Sequence, residues 1–480
     1  MKIAFLNPQG NFDSLDSHWT DHPDFGGQLV YVKELAIAMA SLGIDVDIIT
    51  RRIEDKEWPE FSEPFDFYPG VEGVRIVRID FGGKKFLSKE KLWPYLKDYV
   101  AGIERLYNRE KRFPEFVTSH YGDGGISAAI LSLKRKIPFS FTAHSLGAQK
   151  MDKLGVTPEN FPQFDRVYNF SYRIQAERVS MRYSAVNFVS TTIERFEQYS
   201  HELYKGWIDV NDDTKFVVAP PGVNTKIFNP YPNDIDIAIE NRLSSVIKIY
   251  APERFDKPFI VSSSRMDQKK NITGLLRAYL SSKKLMNATN LLIVARGVYD
   301  VYKEYPRLSG ESGETLRELV ELVRQHNAQN RVFFINITSQ KELAALYRLV
   351  SRKEGIFALT SLYEPFGLAP LEAMACGLPV VATKNGGPSE FLKRDCEELG
   401  VLVDPEDTFS IIKGLEKLML NPEYRRELSS KVSDYVENYY TWLATAKKYL
   451  KTIEERLKIE PLIPAIPEFF LKGGKPEPLF

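Results

Sequence analysis

Cysteine is nearly absent. Only Cys376 and Cys396 occur in 480 residues, which excludes a disulfide framework and fits a reducing compartment. A surplus of one charge is absent too. Lys plus Arg and Asp plus Glu both total 64, so nothing favours nucleic acid as the main partner or a membrane held by net charge. Long apolar runs are missing. No stretch approaches the ~20 apolar residues of a spanning helix, and the apolar run Ile3–Leu6 is too short for a secretory signal. The expectation is a soluble cytoplasmic protein. Histidine is scarce, six in all, with no H-E-x-x-H spacing. Asp165, Asp209, Asp212 and Asp213 form no D-x-D beside a strand end. Asp45-Val-Asp47 has that spacing but reads as a strand start with both side chains on one face. No metal and no cofactor are expected.

What is present is apolar material for two cores, with 43% hydrophobic residues. At about 100–200 residues per domain, the length suggests two or three domains. Short apolar runs alternate with amphipathic stretches. Ile3–Leu6, Val46–Ile49, Val74–Ile79, Phe116–Ser119, Phe139–Thr142, Val186–Val189 and Phe216–Ala219 read as strands, and Leu29, Val32, Leu35, Ala36, Met39 and Leu42 recur at helical spacing before Gly43. The pattern restarts after Pro258 with Phe259–Val261, Leu291–Ala295, Val332–Ile335, Ile356–Leu359, Val380–Ala382 and Val401–Val403. Two sets of βα units predict an α/β protein of two doubly wound, Rossmann-like domains facing across a cleft. The boundary is placed at Pro220-Pro221-Gly222, giving domains 1–222 and 223–444, with 445–480 returning to the first. The last 20 residues hold five prolines and read as a surface strap or a loose tail.

In open α/β sheets, ligands bind beyond the carboxyl ends of the strands. After the Ile356 strand comes Thr360-Ser-Leu-Tyr-Glu364-Pro-Phe-Gly-Leu-Ala-Pro370-Leu-Glu372. Pro365, Gly367 and Pro370 argue against a helix before residue 370. Pro370 suits the first helical position and Gly377 the end, which puts Glu364 in a loop and Glu372 in the first turn. The amides of Phe366, Gly367 and Leu368 are then available to phosphate oxygens, and the two carboxylates to sugar hydroxyls. Glu372 alone would equally complement a helix dipole; that does not account for Glu364 among Pro, Phe and Gly.

Arg265 and Lys270 lie in a loop after the Phe259 strand, where two sheltered cations can stabilise a departing diphosphate. On its own such a loop is more often a solvated turn. Pro23-Asp-Phe-Gly26-Gly27-Gln28 opens the Leu29 helix, and its glycines let backbone approach an anion or a sugar. It lacks the G-x-G-x-x-G pattern, which disfavours hydride transfer. His144 ends the Phe139 strand.

The string from Glu364 to Glu372 resembles the E-x7-E motif of retaining GT-B glycosyltransferases, in the family of the sucrose synthases and sucrose-phosphate synthases. That resemblance covers nearly the whole chain. It implies that Glu364 serves the donor hexose and Glu372 the donor ribose, with Phe366, Gly367 and Leu368 beside them. Arg265 and Lys270 match the pair on the donor pyrophosphate, so transfer is expected without a metal. Gly27 matches the loop against the phosphates, and His144 the histidine beside the hexose and its reacting carbon, without assignment as a general base. In the family the first domain takes the acceptor and the second the nucleotide sugar.

Phe5-Leu-Asn-Pro-Gln-Gly10, His22-Pro-Asp-Phe-Gly-Gly-Gln28, His144-Ser-Leu-Gly-Ala-Gln-Lys150 and Pro220-Pro-Gly-Val-Asn224 look most like sucrose-phosphate synthases. The implied reaction moves glucose from UDP-glucose to fructose 6-phosphate. Gln28, Lys89, Lys150 and Arg173 are then expected on the acceptor, the three cations at its phosphate. Tyr172 stands where relatives are expected to carry another basic residue. No D-x-D-x-T of an appended phosphatase follows the second domain, so a separate sucrose-phosphate phosphatase is an expected partner. The alternatives are a sucrose synthase using free fructose, a mannosylfructose-phosphate synthase using GDP-mannose, and a non-catalytic nucleotide-sugar-binding regulator.

Overall fold

The computed structural model describes residues 1–19, 25, 27–394 and 397–480. Residues 20–24, Gly26, Asp395 and Cys396 lie outside that set. The chain forms two compact units, Met1–Pro220 with Trp442–Phe480, and Pro221–Thr441. Among the described residues no helix is long and apolar enough to cross a membrane.

The first unit is built on β1 (Lys2–Leu6), β2 (Asp45–Arg51), β3 (Phe65–Asp66), β4 (Val74–Ile79), β5 (Phe116–His120), β6 (Phe139–Thr142), β7 (Val186–Val189) and β8 (Phe216–Val218). Their order is β3-β4-β2-β1-β5-β6-β7-β8. All neighbours are parallel except β3 with β4. Strand alternation sends Ile3 and Phe5 to one apolar layer and Ala4 and Leu6 to the other, so both faces of β1 are buried. Each such buried side chain contributes about 1.5–3 kcal/mol. The helix Gly27–Ala40 packs on the first face with the helix Trp442–Arg456, joined by a 2.8 Å hydrogen bond between the Tyr31 and Tyr449 hydroxyls. Near the C-terminus, Phe470 is buried and the Gly474 carbonyl accepts from the Tyr172 hydroxyl. This part of the segment is a strap, not a loose tail. Asp45 and Asp47 also differ from a D-x-D pair: Asp45 is exposed, while Asp47 is buried against Lys2, Arg75 and the Tyr107 hydroxyl.

The second unit carries β9 (Phe259–Ser262), β10 (Asn290–Val294), β11 (Val332–Ile335), β12 (Ile356–Leu359), β13 (Val380–Thr383) and, after the small pair β14 (Lys393–Arg394) and β15 (Glu397–Glu398), β16 (Val401–Val403). The large sheet runs β11-β10-β9-β12-β13-β16, all parallel. One buried ion pair ties its flank. Arg348, 2% exposed, donates from Nε and Nη2 to Asp236, 4% exposed, at 3.0 and 2.7 Å. Asp236→Ala leaves that guanidinium buried without its carboxylate and is expected to cost about 3–5 kcal/mol. The denaturation midpoint of the full chain reads this, and a loss under about 1 kcal/mol would place the pair among the weak, solvent-screened kind.

Candidate functional site

In the second unit the strand order reverses between β9 and β12. In open α/β sheets ligands bind beyond the carboxyl ends of the strands at such a reversal, and here the loops leaving β9 and β12 meet, the Leu362 N–H donating to the Lys269 carbonyl at 2.9 Å. The loop after β9 is stiffened by the Asp267 carboxylate, which accepts from the Lys270 N–H at 3.1 Å. Asn271, at φ 50°, then caps the helix Ile272–Ser281 through the Gly274 N–H. Lys270 is thereby aimed at the β12 loop. Its Nζ lies 2.7 Å from Glu364 Oε2, with the two side chains 19% and 13% exposed. The Ser361 hydroxyl donates to the same oxygen at 3.2 Å. Arg265 does not join this pair. Its side chain is 83% exposed and, among the described residues, pairs with Asp267 at 3.4 Å.

A third loop, after β13, clamps the second. The Glu364 N–H donates to the Asn385 carbonyl and the Gly387 N–H to the Glu364 carbonyl, at 3.0 and 2.9 Å. Gly386 sits at φ 99°, and a Cβ there would lie 2.1 Å from the Glu364 oxygen; one on Gly387 would lie 2.2 Å from that of Phe366. Only glycine permits this approach. The Phe366 ring packs with Phe391 and Tyr440.

The helix begins two residues earlier than the prolines suggest. It spans Leu368–Ala375, with Gly367 at φ 101° as its N-cap. Pro370 is therefore the third helical residue, where the N–H it lacks would be unpaired anyway. The amides of Leu368 and Ala369 are left at the open end, and Glu372 falls beyond the first turn. Its carboxyl is half-buried, and burial pushes it up to about 7. An acid held above its usual 4.5 favours the fold while neutral, and that advantage is lost as pH rises through about 7. Glu372→Gln is thus expected to leave the melting temperature unchanged near pH 5 and to raise it at pH 8.5. An equal shift at both values would contradict the burial account.

In the first unit the order reverses between β1 and β5. A cavity of about 230 Å³ there is lined by Gly27, Gln28, Lys89, Lys150 and Arg173, among others. Five positions spread over some 150 residues converge on one space. Gly27, expected at the donor, shares it with the expected acceptor residues. Lys150 Nζ lies 4.0 Å from the centre of the Tyr168 ring, a cation–π contact. Arg173 is not an unattached charge. Nε donates to Glu177 at 2.9 Å and Nη2 to the Ser145 carbonyl at 2.7 Å. Glu177, 1% exposed, is also bonded by the Gly147 N–H and the Tyr204 hydroxyl.

Two residues that sequence reading passed over set this geometry. Arg51 is buried and donates to the carbonyls of Phe81, Gly82, Gly83 and Lys85, shaping the loop that leads to Lys89. His120, fully buried, places Nδ1 2.9 Å from His144 Nε2. His144 itself stands at φ 55°, rare for a non-glycine residue, with the Tyr31 ring edge-on at 5.0 Å. Burial lowers its imidazole to about 3 and His120 well below its usual value. Both rings are neutral near pH 7, so one nitrogen donates and the other accepts. Both residues follow or end strands at the expected carboxyl edge, which was the one signal available for His120.

A family profile described as "Sucrose synthase first GT-B domain" matches residues 1–248, and one described as "Glycosyl transferases group 1" matches residues 249–434. A "Probable sucrose-phosphate synthase" of Thermosipho melanesiensis is 48% identical over 98% of this chain and 99% of its own length. The "Sucrose-phosphate synthase" of Spinacia oleracea is 29% identical over 90% of this chain but only 45% of its own, so the chain spans about half the length of such plant relatives. Among solved structures, the sucrose-phosphate synthase from Thermosynechococcus elongatus superposes with a TM-score of 0.67 at 23% identity, over 95% of this chain and 98% of that one. An Anabaena protein solved in complex with UDP and glucose gives 0.57 at 16%, over 95% and 100%. These two likenesses bear on the fold.

Proposed function

The chain belongs to the sucrose-phosphate synthase family of GT-B hexosyltransferases, and on that premise we propose that it moves glucose from UDP-glucose to fructose 6-phosphate, giving sucrose 6-phosphate and UDP with the anomeric configuration retained. The observation that carries the acceptor assignment is the cavity of the first unit, where Lys89, Lys150 and Arg173 arrive from three separate segments. Three cations in one small space suit a phosphate dianion; a neutral ketose would not need them.

In the second unit, Lys270 and Arg265 take the donor diphosphate and stabilise the charge that grows on it as the bond to the sugar breaks. The amides of Leu368 and Ala369 add neutral donors of the same kind. Glu364 holds hexose hydroxyls and orients Lys270. Glu372 accepts from the ribose hydroxyls, an interaction that favours its ionised form. Affinity for UDP should therefore rise as pH passes upward through about 7. The C1–phosphate bond breaks and the C1–oxygen bond to the ketose forms on the same face. The ketose hydroxyl proton passes to the leaving phosphate. His144, neutral and pinned by His120, offers a hydrogen bond beside the hexose instead of acting as the base. The reaction takes place in the cytoplasm, and a separate sucrose-phosphate phosphatase consumes the product.

Radiolabelled UDP-glucose supplied with fructose 6-phosphate tests this. The product should bind an anion exchanger and become neutral on phosphatase treatment. Label transferred only from GDP-mannose would make the donor reading wrong. Tight UDP binding with no transfer to any phosphorylated ketose would favour a regulator.

A further inference from the structure

The acceptor cavity is not uniformly basic. Asp123 lines it together with Lys89, Lys150 and Arg173, yet is only 4% exposed. It is the third residue of the helix Tyr121–Arg135, which starts directly at the end of β5, beside the reversal in strand order. Its position is stiffly defined. A Cβ on Gly124 would lie 2.6 Å from the Leu6 carbonyl oxygen, and one on Gly122 would lie 3.2 Å from the Glu177 side chain. The helix start is thus wedged between β1 and the helix that carries Arg173. Oδ1 accepts from the Gly124 N–H at 3.0 Å. Oδ2 is buried and, among the described residues, has no hydrogen-bond partner.

A buried carboxylate oxygen left unpaired beside three cations calls for a donor. A phosphate cannot be that donor, since two anionic groups repel. A sugar hydroxyl can: burial pushes this carboxyl up to about 7, so above that pH it is ionised and binds an O–H group strongly as an acceptor. The cavity then offers cations for a phosphate and an acceptor for an alcohol, two different contacts for one sugar phosphate. We propose that Asp123 Oδ2 accepts a hydrogen bond from one ring or chain hydroxyl of the acceptor ketose and thereby selects acceptors that carry it. This rests on the reading of the cavity as the sugar-phosphate site. A site built to bond a hydroxyl rejects the analogue lacking it far better than an apolar pocket rejects a missing methylene.

The test is calorimetric binding to the full chain, with no need for turnover. Wild type, Asp123→Asn and Asp123→Ala are titrated with fructose 6-phosphate, with its 1-, 3- and 4-deoxy analogues, and with inorganic phosphate as a probe of the cations alone. Asp123→Ala should weaken fructose 6-phosphate by roughly 10- to 100-fold without weakening inorganic phosphate, which loss of a neighbouring anion can only favour. One deoxy analogue should lose the same factor on wild type and lose nothing more on the variant. Losses that simply add for all three analogues, or unchanged affinity in the variants, would overturn the proposal. So would a wild type that binds all three analogues as well as the parent, a result that requires no variant to fold. Failure of wild type to bind fructose 6-phosphate while inorganic phosphate still binds would instead overturn the acceptor reading itself.

Discussion

Replacing Glu364 by alanine is expected to lower turnover by roughly 10²- to 10³-fold while leaving the affinity for UDP within about tenfold of wild type. The reason lies in the pair it forms with Lys270 at 2.7 Å. In the free protein each charge answers the other. When a nucleotide diphosphate is present, Lys270 has a second anion to serve, so loss of Glu364 does not strip the diphosphate of its cation. What is lost is the carboxylate that holds the hexose and keeps Lys270 aimed. Glu364→Gln should recover part of the rate, because Gln keeps the length and an acceptor oxygen but not the charge. Comparable losses in turnover and in UDP affinity would mean that Glu364 only shapes the loop.

Arg173→Ala is expected to raise the KM for fructose 6-phosphate by about 10²-fold, in line with truncating one member of a buried charged pair at a binding surface. It should leave the KM for free fructose nearly unchanged. The substitution also strands Glu177, which is 1% exposed and, among the described residues, keeps the Gly147 N–H and the Tyr204 hydroxyl. A lower melting temperature is therefore expected alongside. Arg173→Lys separates the two effects: it retains a positive charge near Glu177 but loses the second fork nitrogen, which bonds the Ser145 carbonyl at 2.7 Å. Its KM should lie between wild type and Ala, with stability largely restored. If the KM for free fructose rose in parallel, Arg173 would belong to the framework of the cavity and not to the phosphate.

The strands were legible because their apolar runs are buried on both faces: Phe139–Thr142 and Ile356–Leu359 begin and end where their composition says. β3, β14 and β15 hold two residues each, too brief for any periodicity. Local chemistry also marked Glu364, since Pro365 and Gly367 forbid a helix around it. What local sequence could not supply was adjacency. Lys270 and Glu364 are 94 residues apart and meet because β9 and β12 are neighbours at the reversal of strand order, a property of the whole sheet. Nothing in the local sequence of Gly386 and Gly387 shows their contact with the Glu364 and Phe366 backbones. Pro370 misled because proline is tolerated throughout the first helical turn, not at its first position alone. Arg173 is expected at the acceptor phosphate from the resemblance, and its ion pair with Glu177, one helical turn on, is a property of the folded helix. At Tyr172, where another cation was expected, an aromatic ring stacks on Trp93 and meets Phe469 of the C-terminal strap.

The most direct test of the division into a donor half and a phosphate-reading acceptor half is kcat/KM for fructose 6-phosphate against free fructose, with UDP-glucose as donor. The account predicts a preference for the phosphorylated sugar of roughly 10²-fold or more, with the glucosyl anomeric configuration of the product the same as in the donor. Equal or better use of free fructose would contradict it.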